Sequence, residues 1–175
     1  MAIHHATGFR YRMAEAGNTK LQERRFVLTD TAVAESSIAH PLLRRLYRLW
    51  LQKCDARPAP SRSDFSIEEL RPWLGHLMVL DCLENGDFRY RLYSTDLVGI
   101  FGFDLTNRLV SAAAVKIGDK PFAEYRQVRA SGLPSYVARG TPSSRDYLAM
   151  DKLALPLMEN GVVVKILAAI YLSEA

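Results

Sequence analysis

HLMVLDCLENGDFRYRLYST, residues 76–95, reads as two strands joined by a turn. HLMVLDCLE at 76–84 is rich in apolar residues and reads as the first strand. Asn85-Gly86 follows it, and both residues tolerate the positive φ of a type I′ turn. The partner strand is FRYRLYST at 88–95. Period-two alternation places Phe88, Tyr90 and Leu92 on one face and Arg89, Arg91 and Tyr93 on the other. An antiparallel hairpin therefore sits at the centre of the chain.

Downstream of the hairpin the pattern turns helical. Thr95 and Asp96 suit the cap of a short helix through LVGIF at 97–101, which Gly102 ends. FDLTNRLV at 103–110 is a turn-rich connection. Asp119 is placed to cap a longer helix with Pro121 in its first turn, Phe122, Tyr125 and Val128 on its apolar side, and Gly132 just past its end. LPSYVAR at 133–139 reads as a strand, followed by a Gly-Thr-Pro break. RDYLAMDKLALPL at 145–157 reads as one long bent strand with Pro156 near its end. A second Asn-Gly pair, at 160–161, leads into VVVKILAAIYL at 162–172.

Upstream, SIEEL at 66–70 carries a capping box, Ser66 with Glu69, and Pro72 limits that helix to about one turn. Residues 41–54 form a longer amphipathic helix. Leu42, Leu43, Leu46, Leu49 and Trp50 recur at helical spacing, with Arg44, Arg45, Arg48 and Lys53 opposite. Pro41 suits a first turn, and Pro58 and Pro60 stop the helix. Its apolar stripe needs a partner. That partner is either the domain's own sheet or a second copy, in which case Leu42, Leu46, Leu49 and Trp50 form the seam. Residues 1–36 are a polar extension in which RFVLTDTAV at 25–33 suits a strand or a short helix.

Helix, hairpin, short helices, a longer helix and three strands make an α+β domain over residues 37–175, built on one antiparallel sheet. The central helices cover one face, and the 41–54 helix is the available cover for the other.

Composition narrows the class. With 49% hydrophobic and 24% charged residues, the 175-residue chain is ordinary for a globular domain. The longest apolar stretch is too short to span a bilayer and is broken by Lys165. MAIHHATGFRYR lacks the apolar core of a secretory signal. Cys54 and Cys82 fit no disulfide framework and no zinc spacing, so no metal site and a cytoplasmic setting are expected. Residues 1–60 hold ten Lys/Arg against five Asp/Glu, while the remainder is nearly neutral. That asymmetry reads as a solvated tail and helix face, or as DNA-linked regulation, although no helix-turn-helix is evident.

The element order resembles the PAS fold, and particular words strengthen the likeness: LYRLWLQK at 46–53, PSRSDFSIEELRPWLGHLMVLD at 60–81, FRYRLYST at 88–95 and GFDLTNRLV at 102–110. They are similar to a bacterial subfamily of single-domain PAS-like proteins. The resemblance covers about residues 40–170. Ser94 and Asn107 stand where that pattern has glycine, and Asn107 is able to take a left-handed turn. The resemblance implies a five-stranded antiparallel sheet that holds a small-molecule pocket against its central helices, and a sensory or regulatory role without catalysis.

Cofactors can be weighed residue by residue. Haem needs a strong axial ligand, and the 120–131 helix has no His; His76 starts a strand, and His4, His5 and His40 lie outside the expected core. The flavin light sensors of this fold use a Cys in the middle region, and none occurs after Cys82. Haem and flavin are therefore not expected. The proposed pocket residues are Arg91 and Tyr93 from one strand face, with Tyr125 and Tyr147. A guanidinium and phenols in an apolar cavity suit a small carboxylate or another polar metabolite. Against that reading, Arg91 has carboxylate partners within reach of the fold, Asp104 and Asp151.

No catalytic residues are assigned. The chain has no nucleophile elbow, phosphate loop, zincin motif or dinucleotide fingerprint. Asp81 and Asp151, both on expected strands, are the one carboxylate pair open to acid–base work, and a nuclear-transport-factor-like cone is the enzyme alternative. No kinase, cyclase or DNA-binding domain follows, so a signal is expected to pass to a homodimer partner or a separate signalling protein. A ligand-free interaction module built on the 41–54 helix is the competing reading.

Overall fold

Strands that are apolar at nearly every position need a cover on both faces. The computed structural model, which describes residues 23–27, 35–139 and 150–172, supplies both. In chain order its elements are β1 (Glu23–Val27), α1 (Pro41–Cys54), a 3₁₀ turn (Arg62–Asp64), α2 (Ile67–Leu70) and a second 3₁₀ turn (Arg71–His76). These lead into β2 (Leu77–Cys82), β3 (Phe88–Tyr93), α3 (Thr95–Phe101), α4 (Val110–Ile117), α5 (Lys120–Ser131), β4 (Ser135–Arg139), β5 (Met150–Glu159) and β6 (Val162–Leu172).

The strands form one sheet in the order β1-β4-β5-β6-β2-β3, with every neighbouring pair antiparallel. Strands β2 to β6 are the five expected. The sixth comes from the N-terminal extension, where β1 covers the outer edge of β4 from Glu23↔Arg139 to Val27↔Ser135. It extends a sheet whose edge would otherwise stand open.

Alternation along the central strands builds two cores. Leu153, Leu155 and Leu157 of β5, with Leu167 and Ala169 of β6, meet Leu43, Leu46, Tyr47 and Trp50 of α1. Ile166, Ala168 and Ile170 of β6, with Met78 and Leu80 of β2, meet Leu97, Val110, Tyr125 and Val128 of the central helices. Helix α1 is thus the cover of its own sheet. Leu46 and Trp50 are buried there, which corrects their assignment to a dimer seam, and Leu42 and Leu49 are half-buried beside them.

Trp50 also explains how Pro156 sits inside β5. The Trp50 indole N–H donates to the Pro156 carbonyl at 2.9 Å, and Met158 N–H donates to the Pro60 carbonyl at 2.8 Å. Pairing of β4 with β5 reaches only to Ala154, so this stretch of β5 has no strand on that side. Proline's missing N–H therefore breaks no ladder bond. Helix α1 itself ends before the prolines, where Asp55 and Ala56 take φ of 44° and 64°.

The turns divide by geometry. At Asn160-Gly161 both residues have positive φ, 50° and 77°, as a type I′ turn requires. At Asn85-Gly86 only Gly86 does, and the connection is the wider loop closed by Leu83 N–H to Asp87 O at 2.9 Å. A Cβ on Gly161 would meet nothing within 4 Å, so the whole cost of Gly161→Ala is backbone strain. It is expected to lower stability by about 1–2 kcal/mol in urea denaturation.

Local signals were kept or overridden individually. The capping box closes as read, with Ser66 N–H to Glu69 Oε2 at 3.0 Å and Glu69 N–H to Ser66 Oγ at 3.2 Å. Arg71 nevertheless stays helical before Pro72, because the chain tightens into a 3₁₀ turn. Helix α4 was not anticipated as a separate element. Ser94 occupies the N-cap of α3 and Asp119 that of α5, and neither side chain makes a capping hydrogen bond. Asn107 takes φ 64°, and its N–H reaches the Tyr90 carbonyl at 2.7 Å, closing part of the β3 edge.

Candidate functional site

The helix face of the sheet carries a buried polar cluster in an aromatic frame. Positions 121, 124, 125 and 128 of α5 recur at helical spacing and are all buried, so Glu124 and Tyr125 both point at the sheet. On β5, alternation sends Leu153 and Leu155 to α1 and Lys152 and Ala154 to the central helices. Lys152 and Glu124 meet there: Nζ donates to Oε2 at 2.9 Å, and both side chains are less than a tenth exposed. Lys152 Nζ also lies 4.1 Å from the Tyr125 ring centroid, a close cation–π contact.

Tyr125 joins the pair to a set of aromatic rings. Phe88 of β3 meets Phe122 and Tyr125 edge-on, each at 5.8 Å between centroids. Tyr90 meets Tyr93 at 5.7 Å and hydrogen-bonds Tyr125. Burial pushes the Tyr90 phenol far above its ordinary range and the Tyr93 phenol up to about 12, with Asp104 adding to the latter. Both phenols therefore stay protonated, and that of Tyr90 donates to Tyr125. On this face of the sheet two buried polar atoms, Glu124 Oε1 and Ser135 Oγ, have no hydrogen-bond partner among the described residues; the Tyr171 hydroxyl on the α1 face is a further such atom.

The site residues read from sequence part company here. Tyr93 and Tyr125 do belong to one cluster, joined through Tyr90. Arg91 does not share a face with Tyr93. A bulge between Val79 and Leu80 breaks the alternation of β3: Tyr90 pairs with Leu80, Leu92 pairs with Val79, and Arg91 is the extra residue. Tyr93 then returns to the face of Phe88 and Tyr90, while Arg91 and Leu92 are exposed. Tyr147 lies outside the described residues.

Asp81 and Asp151 cannot act as a catalytic pair. Asp81 contacts Lys165, and Asp151 hydrogen-bonds the Tyr136 hydroxyl, which accepts Ala39 N–H at 3.1 Å. Their ladder partners on β6, Lys165 and Tyr171, are six residues apart, about 20 Å along a strand. Asp81 also stands opposite Arg89 on the β2–β3 ladder. Among the described residues no group of three His, Cys, Asp or Glu is placed to hold a metal ion. Burial pushes the thiols of Cys54 and Cys82 up to about 11, away from reactivity.

The α1 face has its own polar contacts. The Tyr171 ring is stacked between His40 at 4.3 Å and His76 at 4.1 Å, so His40 is packed against the sheet and does not lie outside the core. His76 Nδ1 is 3.0 Å from the Ile170 carbonyl, and its Nε2 is 3.7 Å from Asp96. These contacts anchor the start of α1 and the entry to β2.

Glu124, Lys152, Tyr90 and Ser135 were not singled out from the sequence. Two signals for them were present. Glu124 falls on the 121–124–125–128 stripe, and Lys152 precedes a run that is apolar from Leu153 to Met158; a charge in either place needs a partner. The family model of the PAS domain matches residues 38–170, which takes in both core faces, α1 and all of the cluster. No curated protein and no solved structure matches the chain. Among the described residues no helix is long and apolar enough to cross a membrane.

Proposed function

The chain belongs to the PAS-domain family, and from that premise we propose that it is a sensory or regulatory domain that binds a small molecule between its sheet and helix α5. PAS membership suggests the sensory class. The observation that carries the ligand reading is the buried Glu124–Lys152 pair, framed by Phe88, Tyr90, Tyr93, Phe122 and Tyr125, with open hydrogen-bonding capacity at Glu124 Oε1 and Ser135 Oγ. Buried polar groups ordinarily find partners, and Glu124 Oε1, open beside the Tyr125 ring, favours a ligand there.

Nothing in this cluster resembles a catalytic constellation. The phenols are held protonated, and the carboxylate is engaged by an ammonium. A non-catalytic role in the cytoplasm, with the signal handed to a separate partner or a second copy, fits that chemistry.

Native mass spectrometry of the purified chain, compared with the denatured chain, tests the reading. A co-purified species released on denaturation is the expected result, lost from the double variant Glu124→Leu/Lys152→Met. A ligand retained by that folded double variant would move the site elsewhere.

A further inference from the structure

Lys152 and Glu124 cancel each other's charge inside the core. Lys152 Nζ is committed to Glu124 Oε2 at 2.9 Å and to the Tyr125 ring at 4.1 Å. On this face of the sheet, among the described residues, one acceptor, Glu124 Oε1, and one hydroxyl, Ser135 Oγ, stay open, on residues 5% and 2% exposed. Ser135 lies opposite Ala154 on the β4–β5 ladder, and Lys152 is two residues from Ala154 on the same face. Ser135 is therefore the diagonal neighbour of Lys152, about 7–8 Å away in an ordinary ladder. One open atom belongs to the ion pair itself, and the other sits a diagonal ladder step from its lysine.

Charge decides what can join them. An anion would set two negative charges against one ammonium where water does not screen them, and a cation would unbalance the pair the other way. A neutral group adds no charge. A carboxylate oxygen left open in an apolar surround asks for a donor, since it cannot donate itself. Ser135 Oγ is able to give or accept.

Resting on the sensory reading above, we propose that the site takes a small neutral molecule bearing an O–H or N–H donor. The donor is directed at Glu124 Oε1, the same polar group meets Ser135 Oγ, and the apolar body lies against the Phe88, Phe122 and tyrosine rings. This narrows the ligand from the carboxylate suggested by Arg91, whose guanidinium is exposed outside the cluster.

Three matched probes test the class: phenol, toluene and benzoate, titrated into the ¹⁵N-labelled full chain while the backbone amides of Glu124, Ser135 and Lys152 are followed. Phenol is expected to saturate those shifts at concentrations about tenfold lower than toluene, the factor one net hydrogen bond supplies. Benzoate is expected to leave them unmoved. Ser135→Ala removes a buried hydroxyl without a partner, so it leaves the fold intact, and it should cut the phenol preference to about threefold. A preference unchanged by Ser135→Ala overturns the part assigned to Ser135. Equal binding of phenol and toluene, or stronger binding of benzoate, overturns the neutral-donor class and leaves the sensory reading standing. Shifts with none of the three also overturn the class. In that case a co-purified species in the native mass spectrum would keep the sensory reading, and a clean mass would remove both.

Discussion

Lys152→Met is expected to lower the free energy of unfolding by about 3–5 kcal/mol, because it leaves the Glu124 carboxylate buried with no cation beside it. Methionine keeps the length and apolar stem of the lysine, so little packing is lost and the deficit reports the missing charge. Glu124 has no second partner to turn to: Oε2 has Lys152, and Oε1 has none among the described residues. The compensating double variant Glu124→Leu/Lys152→Met removes both charges and should recover to within about 1 kcal/mol of the parent, or exceed it. Urea denaturation of the three proteins, fitted with a common m-value, measures the cycle. A Lys152→Met loss below about 1 kcal/mol would mean the pair is hydrated and worth no more than a surface ion pair. The polar site would then be open to water and not sealed.

The double variant has a second use. A pair of charges replaceable by apolar residues at no cost is not needed for folding, and its presence in the core then calls for another reason. Loss of ligand from a protein that remains as stable as its parent separates the two roles directly. Stability and recognition meet at Lys152, and only the double substitution uncouples them.

Most of the architecture was legible because it rests on local chemistry. The α1 stripe, the Ser66–Glu69 box, the two Asn-Gly turns and the apolar C-terminal strands each declare themselves within a dozen residues. What escaped depends on tertiary placement. The bulge opposite Val79 and Leu80 inserts one residue into β3 and reverses the faces of Leu92 and Tyr93, which no reading of FRYRLY in isolation reveals. That one insertion parted Tyr93 from Arg91 and set it beside Tyr90 on the helix face. Glu124 and Lys152 were missed for the opposite reason. Each looks like an ordinary solvated charge until helix and strand are laid face to face, 28 residues apart in sequence. Asp151 shows the same limit, since its partner, Tyr136, is set by the β4–β5 register and not by any spacing along the chain.

The α1 helix decides between two mechanisms, and Trp50→Ala is the substitution that separates them. The indole is nearly buried against the sheet, and its N–H serves the Pro156 carbonyl, which β4 is too short to reach. Truncation is expected to cost about 3–5 kcal/mol for the lost packing and cavity. The stranded carbonyl adds about 1–3 kcal/mol if water cannot reach it. Leu46→Asp, which buries an unpaired charge where no side-chain surface is exposed, should prevent folding outright. A helix whose stripe was instead a seam between copies would behave differently: the Trp50 variant would keep the unfolding free energy of its monomer and lose half its mass in sedimentation. Loss of stability with unchanged mass leaves only Leu42 and Leu49, half-buried at the margin of the stripe, for contact with another molecule. Any signal passed through α1 must then travel by shifting the helix on its sheet. Its start is held by the His40–Tyr171–His76 stack and by Ala39 on Tyr136, whose hydroxyl also holds Asp151, next in sequence to Lys152. A displacement of β5 by a ligand on one face would therefore be felt at the first turn of α1 on the other.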